Sequence, residues 1–267
     1  MNIKGLKIPS INNKEALNFI KNILPNCKEI IKSKNPLFLE KSKKPYAPEY
    51  LDLYFLYKLI TLNKRLTVLE FGSGWSTLAM TVAMKNNFSD YHSQVFKKNK
   101  ELKLRFTNPF EIFSVENDRK FLKISKHRIN KLRTKIKVNF MYSQVHMTRF
   151  EGRICAEYKR LPLCNPDFIY LDGPDQFDVK GNINGINIGH NDLMPIMCDI
   201  LKFEFFLKPG TIICVDGRAA NVNFLKSFFK RNWIEYYNIQ LDMYVLYLVS
   251  KPLGSANKKQ LKFYRNK

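Results

Sequence analysis

The sequence has no apolar stretch that approaches the roughly 20 residues needed to span a bilayer. Its longest candidates, around residues 51–60 and 203–207, are short and interrupted by charge. The opening MNIKGLKIPS has no apolar core of the signal-peptide kind, so a cytoplasmic protein is expected. Cysteine is sparse: Cys27, Cys155, Cys164, Cys198 and Cys214 make an odd number, and no two have C-x-x-C spacing. That argues against a disulfide framework and against a zinc site. Cys198 and Cys214 lie in apolar segments and are expected to be buried thiols. Internal repeats and low-complexity tracts are also lacking.

Acidic residues are few, 23 against 45 Lys and Arg, which leaves a net charge of +22 and a pI near 9.7. Such a balance suits nucleic acid or an anionic membrane surface. It also follows from lysine-rich coding, since Lys far outnumbers Arg and Asn, Ile and Phe are abundant. The basic residues run along the whole chain, with local density at residues 97–105 and 120–137. A dedicated nucleic-acid surface is more often arginine-rich and interleaved with exposed aromatics. A small-molecule partner is therefore expected, with nucleic acid as the alternative.

What is present suits one α/β domain: 267 residues, 45% of them hydrophobic, enough for a core without disulfide or metal. Residues 1–64 read as an N-terminal helical extension packing on the main domain. Helices are expected over 14–23 and 48–62, with Pro25, Pro36 and Pro45 punctuating the stretch between. From residue 65 to 267 strand and helix signals alternate. Strands are read at 66–71, 111–116, 136–145, 167–171 and 211–215, and helices at 76–84, 119–132, 192–207 and 219–231. A closing hairpin is read at 233–240 and 244–250. The expectation is a Rossmann-like, seven-stranded, mostly parallel sheet with helices on both faces and a C-terminal antiparallel hairpin. An insertion is read near residues 87–109.

Ligands of such sheets bind beyond the carboxyl ends of the strands. The first strand ends in Glu70, and Gly72, Gly74, Ser76 and Thr77 follow. The glycines allow a tight turn and close approach of a ligand, and Ser76 and Thr77 can cap the next helix. A nicotinamide fingerprint would need a third glycine where Thr77 stands, and a P-loop would need Gly-Lys-Ser/Thr. The second strand ends in Glu116-Asn117, whose carboxylate can accept both ribose hydroxyls of a nucleoside. Glu116 lies 42 residues after Gly74, which the insertion explains, and Asp90 has the more usual spacing but no strand before it. The fourth and fifth strands end in Asp172-Gly173-Pro174 and Asp216-Gly217-Arg218, for which a turn-capping role is the alternative.

The ordered set L-E-F-G-S-G-W-S-T, F-S-V-E-N, F-I-Y-L-D-G-P and L-K-P-G-T-I-I-C-V-D resembles the class I S-adenosylmethionine-dependent methyltransferases, over about residues 66–250. The resemblance implies S-adenosyl-L-methionine as cofactor. It sets Glu70, Gly72 and Gly74 against the methionine moiety, Glu116 on the ribose and Asn117 near the adenine edge. It brings Ser143 and Gln144 to the adenine, though both also read as strand-end polar residues facing water. D-G-P stands where DNA amino-methyltransferases carry N-P-P-Y or D-P-P-Y. Methyl transfer to a small-molecule or sugar-type acceptor, hydroxylated or anionic, is expected. An RNA methyltransferase and a non-catalytic nucleotide-binding module are the alternatives.

A hydroxyl acceptor needs a base. Asp172, Asp216 and His190, the last on the loop after the fourth strand, are the candidates, and Arg218 is the candidate for holding an anionic group. Some catechol-type relatives bind a divalent cation through acids at these strand ends. Gly217 stands where that group has an asparagine, so no metal is expected.

Overall fold

The computed structural model describes residues 2–23, 49–98 and 104–265. Cys27 and the punctuating prolines Pro25, Pro36 and Pro45 lie outside them. A small hairpin, β1 (Asn2–Ile3) and β2 (Leu6–Lys7), opens the chain, and α1 (Asn13–Ile23) and α2 (Tyr50–Leu62) follow. Next come β3 (Thr67–Phe71), α3 (Trp75–Lys98), β4 (Glu111–Glu116), α4 (Arg119–Lys131) and β5 (Lys137–Tyr142). Three further strands are β6 (Val145–Phe150), β7 (Arg153–Tyr158) and β8 (Phe168–Leu171). The remaining elements are β9 (Val179–Lys180), α5 (Asp199–Phe203), β10 (Ile212–Asp216), α6 (Ala219–Phe228), β11 (Trp233–Asn238), β12 (Met243–Leu248) and α7 (Gly254–Tyr264).

The main sheet has seven strands in the order β11-β12-β10-β8-β3-β4-β5. Its strands β10, β8, β3, β4 and β5 are parallel, and β12 runs antiparallel between β10 and β11. This is the Rossmann-like plan with a C-terminal antiparallel hairpin. From β3 the chain winds to β4 and β5 on one side, then crosses back to β8 and β10 on the other. The direction of winding reverses between β3 and β8, the place where sheets of this plan have their ligand crevice.

Alternate residues of the buried strands face opposite layers. Val68, Ile112, Phe168, Tyr170 and Ile212 pack with Phe55, Leu56, Leu59 and Ile60 of α2, Met80 and Met84 of α3 and Leu261 of α7. Leu69, Phe71, Val115, Ile169 and Val215 pack with Val222 and Leu225 of α6 and Ile200 of α5. Burial of each such side chain contributes roughly 1.5–3 kcal/mol. The helices α1, α2 and α3 form an outer cluster through Phe19, Tyr54 and Leu78. No helix among the described residues is long and apolar enough to cross a membrane.

Four local expectations change. The stretch 136–145 is two strands. The chain bends at Ser143, whose N–H donates to Glu116 O and whose hydroxyl accepts the Arg160 N–H, and Val145 begins a second sheet of order β7-β6-β9. The expected helix at 192–207 shrinks to α5 and a 3-10 turn at Glu204–Phe206, because Pro195 cannot sit inside a helix. In contrast, α3 runs on through residues 87–98, part of the stretch read as an insertion. Asn87 holds its later turns by donating to Ile60 O and Arg65 O, and Phe88 and Tyr91 pack on the core. Finally, α7 was not expected. Its Tyr264 hydroxyl donates to Asp167 (2.6 Å), and Gln260 donates to Leu104 O.

Asp167 closes this amino end of the sheet. Its carboxylate also accepts the N–H groups of Leu66 and Thr67, while the buried Arg65 donates to Asn63 O and Gly210 O and stacks on Tyr264. Asp167→Ala would strip several buried donors of their acceptor. It should lower stability by about 2–4 kcal/mol in urea unfolding, and a loss within experimental error would contradict this network.

Candidate active site

The loop from β3 to α3 is shaped from beneath by Glu70. This carboxylate is fully buried and accepts the hydroxyls of Ser76 (2.6 Å) and Thr77 (2.6 Å), which ties the first turn of α3 down to the strand. Burial pushes Glu70 up to about 8, against the pull of those hydroxyls. Thr77 Oγ1 also accepts the Gly74 N–H (3.0 Å). Glu70 and Ser76 thus face each other inside the loop, with their polar atoms engaged.

The two glycines differ. Gly72 has φ +102°, a conformation that favours glycine, and its N–H donates to Val115 O (2.8 Å). Across the crevice, a Cβ on Gly173 would lie 2.6 Å from Gly72 N and 2.6 Å from the Tyr158 hydroxyl. The loops after β3 and β8 therefore touch backbone to backbone. At Gly74 a Cβ would meet only Ser76 Oγ, at 4.0 Å, so space for a ligand begins directly above it. The unpaired N–H groups at the start of α3 favour a carboxylate there.

Glu116 closes β4 at 3% exposure. Its Oε1 accepts the Asp118 N–H (2.9 Å) and its Oε2 the Ser73 hydroxyl (2.8 Å). A carboxylate has about four acceptor sites, and the Asn117 backbone N–H takes up a third one. Burial raises Glu116 to about 7, opposed by these hydrogen bonds. Ser73 is a site residue that sequence reasoning passed over, although it stands between the two glycines of the motif. Asn117 is buried and joined to the loop after β8, donating to Asp175 O and accepting the Asp175 N–H (3.3 Å). Ser143 is buried at the bend after β5, and Gln144 beside it is exposed.

On the other side of the crevice stand Asp172 and Asp216. Tyr170 donates its hydroxyl to Asp216 Oδ2 (2.8 Å). Loss of water raises Asp216 to about 7, with the neighbouring charge of Asp172 adding to the effect and Tyr170 and Arg218 opposing it. Asp172 has its side chain about half exposed. The helix α2 brings a third carboxylate here, which no motif in the chain signals. Asp52 is raised to about 9 by burial and by the charges of Asp216, Glu49 and Asp172, and its Oδ1 is buried without a hydrogen-bond partner. It is the one acid in the largely apolar helix α2.

Arg218 does not reach into open space. Its Nη2 donates to Asp172 O and Pro174 O and lies 4.0 Å from Asp172 Oδ1, while Nη1 is buried without a partner. Arg218 braces the loop that carries Asp172. His190 is exposed further along that loop, its Nδ1 accepting the Asp192 N–H (3.1 Å), and no hydrogen bond or ion pair joins it to Asp172 or Asp216.

No protein-family model matches the chain, and no curated protein does. Among solved structures it is similar to the O-methyltransferase from Bacillus cereus in complex with SAH, at 11% identity and a TM-score of 0.42, covering 89% of this chain and 97% of that one. It is similar to the O-methyltransferase TomG from Streptomyces achromogenes, involved in tomaymycin synthesis and in complex with SAM (14%, TM-score 0.41, 89% and 96% covered). The tRNA (m1A58) methyltransferase TrmI from Aquifex aeolicus is a further neighbour (15%, TM-score 0.38, 86% and 77% covered). These superpositions are loose, and the functional reading rests on the geometry of the chain itself.

The glycine contact makes opposite demands at two positions. Gly173→Ala should lower stability by about 1–3 kcal/mol, because its methyl group meets backbone on a packed floor. Gly74→Ala, with open space above it, should change the melting free energy by no more than about 0.5 kcal/mol. Equal losses in a denaturant titration would contradict the geometry of the crevice.

Proposed function

We propose that this chain binds S-adenosyl-L-methionine in the crevice between β3 and β8 and transfers its methyl group to a small hydroxylated acceptor. The observation that carries the reading is the open space over Gly74 beside the buried carboxylate of Glu116, which is held in place by the Ser73 hydroxyl, at the point where the winding of the sheet reverses. Residues 72–77 would hold the amino-acid end of the cofactor against the start of α3, and Glu116 with Ser73 would take the ribose diol. Asn117, tied to Asp175, would shape the adenine end rather than bond to it, while the Ser143 hydroxyl, which accepts the Arg160 N–H, keeps its proton to donate.

The bound cofactor supplies an electrophilic sulfonium methyl. The chain has to align an acceptor with it, exclude water and take up a proton. Asp216, at about 7 and hydrogen-bonded to Tyr170, is balanced between its two protonation states near neutrality, as a general base should be. Asp172 sits at the mouth as the second acceptor of a hydroxyl proton, on a loop fixed by Arg218. Several carboxylates face this side and the nearby guanidinium is engaged by loop carbonyls, which favours a hydroxylated acceptor over an anionic one.

Calorimetry with S-adenosylhomocysteine should give a measurable Kd for the parent chain and none for the folded Gly74→Val variant, whose side chain fills the ligand's space. Binding by both, or by neither, would contradict this assignment. Two hydroxyls donating to Glu116 require its ionised form. Affinity should therefore fall about tenfold from about pH 8 to about pH 6, and Glu116→Gln should flatten that dependence.

With methyl-labelled cofactor and a whole-cell extract, label should enter the small-molecule fraction. Asp172→Asn should slow this transfer far more than it weakens cofactor binding. Label in RNA instead would exclude the small acceptor.

A further inference from the structure

The end of the sheet opposite the crevice has a different character. The loops that lead into β4, β8 and β10 meet there, at the amino ends of neighbouring parallel strands. Leu163 is 99% exposed, Phe205 71% and Phe206 75%, and Phe106 is exposed as well. Leu163 and Phe206 border one cavity of about 460 Å³ that continues inward to Leu161, Pro162 and Phe203. A single exposed apolar side chain is ordinary, but several large ones from three converging loops form a patch that marks an interaction surface.

Among the described residues the exposed charge around this patch is mostly positive. Asp167 and Glu204 are turned inward, and the half-buried Glu111 at the start of β4 accepts the side-chain amides of Asn108 and Asn139. Asp167 holds Leu66, Thr67 and Tyr264, and Glu204 accepts the N–H groups of Lys230 and Arg231 (each 3.0 Å) and the Trp233 indole (2.9 Å). The bases face out. Lys230 and Lys251 are exposed where the chain enters β11 and leaves β12, and Lys135 and Lys137 are exposed at the start of β5. Within the patch Lys208 lies close enough to Arg105 for its ammonium to be lowered, first by burial and then by that charge.

We propose that this amino pole docks on an anionic lipid surface. Protruding apolar side chains within a basic surround match the two attractions such a surface offers, the headgroup–acyl boundary for Leu163 and Phe205 and anionic headgroups for the lysines. Nucleic acid would satisfy the lysines and offer bases for Phe205 to stack on, but it would leave the aliphatic Leu163 in water, and the exposed basic side chains here are lysines rather than arginines. A second copy of the chain, paired through the same patch, would set one positive field against another. Docked this way, the crevice at the carboxyl ends of the strands faces away from the membrane and stays open to the aqueous phase.

The test is co-sedimentation of the full chain with vesicles of phosphatidylcholine alone and of phosphatidylcholine with about 30% phosphatidylglycerol. The chain should bind the anionic vesicles, leave the neutral ones, and be released by salt. Leu163→Ser/Phe205→Ser, at exposed positions and with an unchanged melting curve, should lower the bound fraction about tenfold or more, and so should Lys230→Glu/Lys251→Glu. Failure to bind anionic vesicles at low salt, or binding that the serine pair leaves intact, overturns the proposal. So does a stable dimer in sedimentation equilibrium that Leu163→Ser dissolves, because the patch is then the interface between two copies.

Discussion

The constraint on which the crevice depends is the contact between two glycine backbones. Gly72 after β3 and Gly173 after β8 lie so close that a Cβ on Gly173 would stand 2.6 Å from Gly72 N, and one on Gly72 would stand 3.1 Å from Gly173 N. β3 and β8 are hydrogen-bonded neighbours, and their loops must leave to opposite sides because the winding reverses there. The strand ends can stay this close only if both loops turn without side chains between them. The Phe71 carbonyl accepts the N–H groups of both Asp172 and Gly173, which ties the two loops together. What surrounds that contact follows from it: a free surface over Gly74, Glu116 on one side, and Asp172 and Asp216 on the other.

Desolvation adds a second theme. Glu70, Glu116, Asp216 and Asp52 all have carboxyl groups raised by burial. In Glu70 and Glu116 the penalty is offset by hydroxyl and backbone donors, and those bonds shape the loop. In Asp216 one phenol does this, and in Asp52 nothing bonds to the buried oxygen. Donor density thus falls from the side of Glu116 to the side of Asp216. The first side is a pre-organised acceptor for a diol, and the second is set to exchange a proton.

The sheet was largely legible because its strands carry their own punctuation. Glu70-Phe-Gly, Glu116-Asn, Asp172-Gly-Pro and Asp216-Gly each end a short apolar run, and Asp242 closes the final hairpin. The second sheet was missed although β6 and β7 alternate around Glu151-Gly152, both at positive φ. The Val145 run reads as a continuation of β5 when the Ser143 bend is not recognised. The later half of α3 was missed because its sequence is largely polar, and only the buried amide of Asn87 and the rings of Phe88 and Tyr91 anchor it. The site was legible in its acids and glycines, which sit at strand ends. Asp52, Ser73 and the orientation of Arg218 were not, since they depend on which distant loop or helix packs across the crevice.

The central claim, a nucleoside cofactor seated at the reversal of the sheet, is tested most directly by hydrogen–deuterium exchange with and without S-adenosylhomocysteine. The account predicts slowed exchange in residues 72–78 and 114–118 on addition of ligand, and no change at the opposite pole in residues 104–110 and 204–208. Protection confined to that opposite pole, or no protection in the β3–α3 loop at saturating ligand, would contradict it.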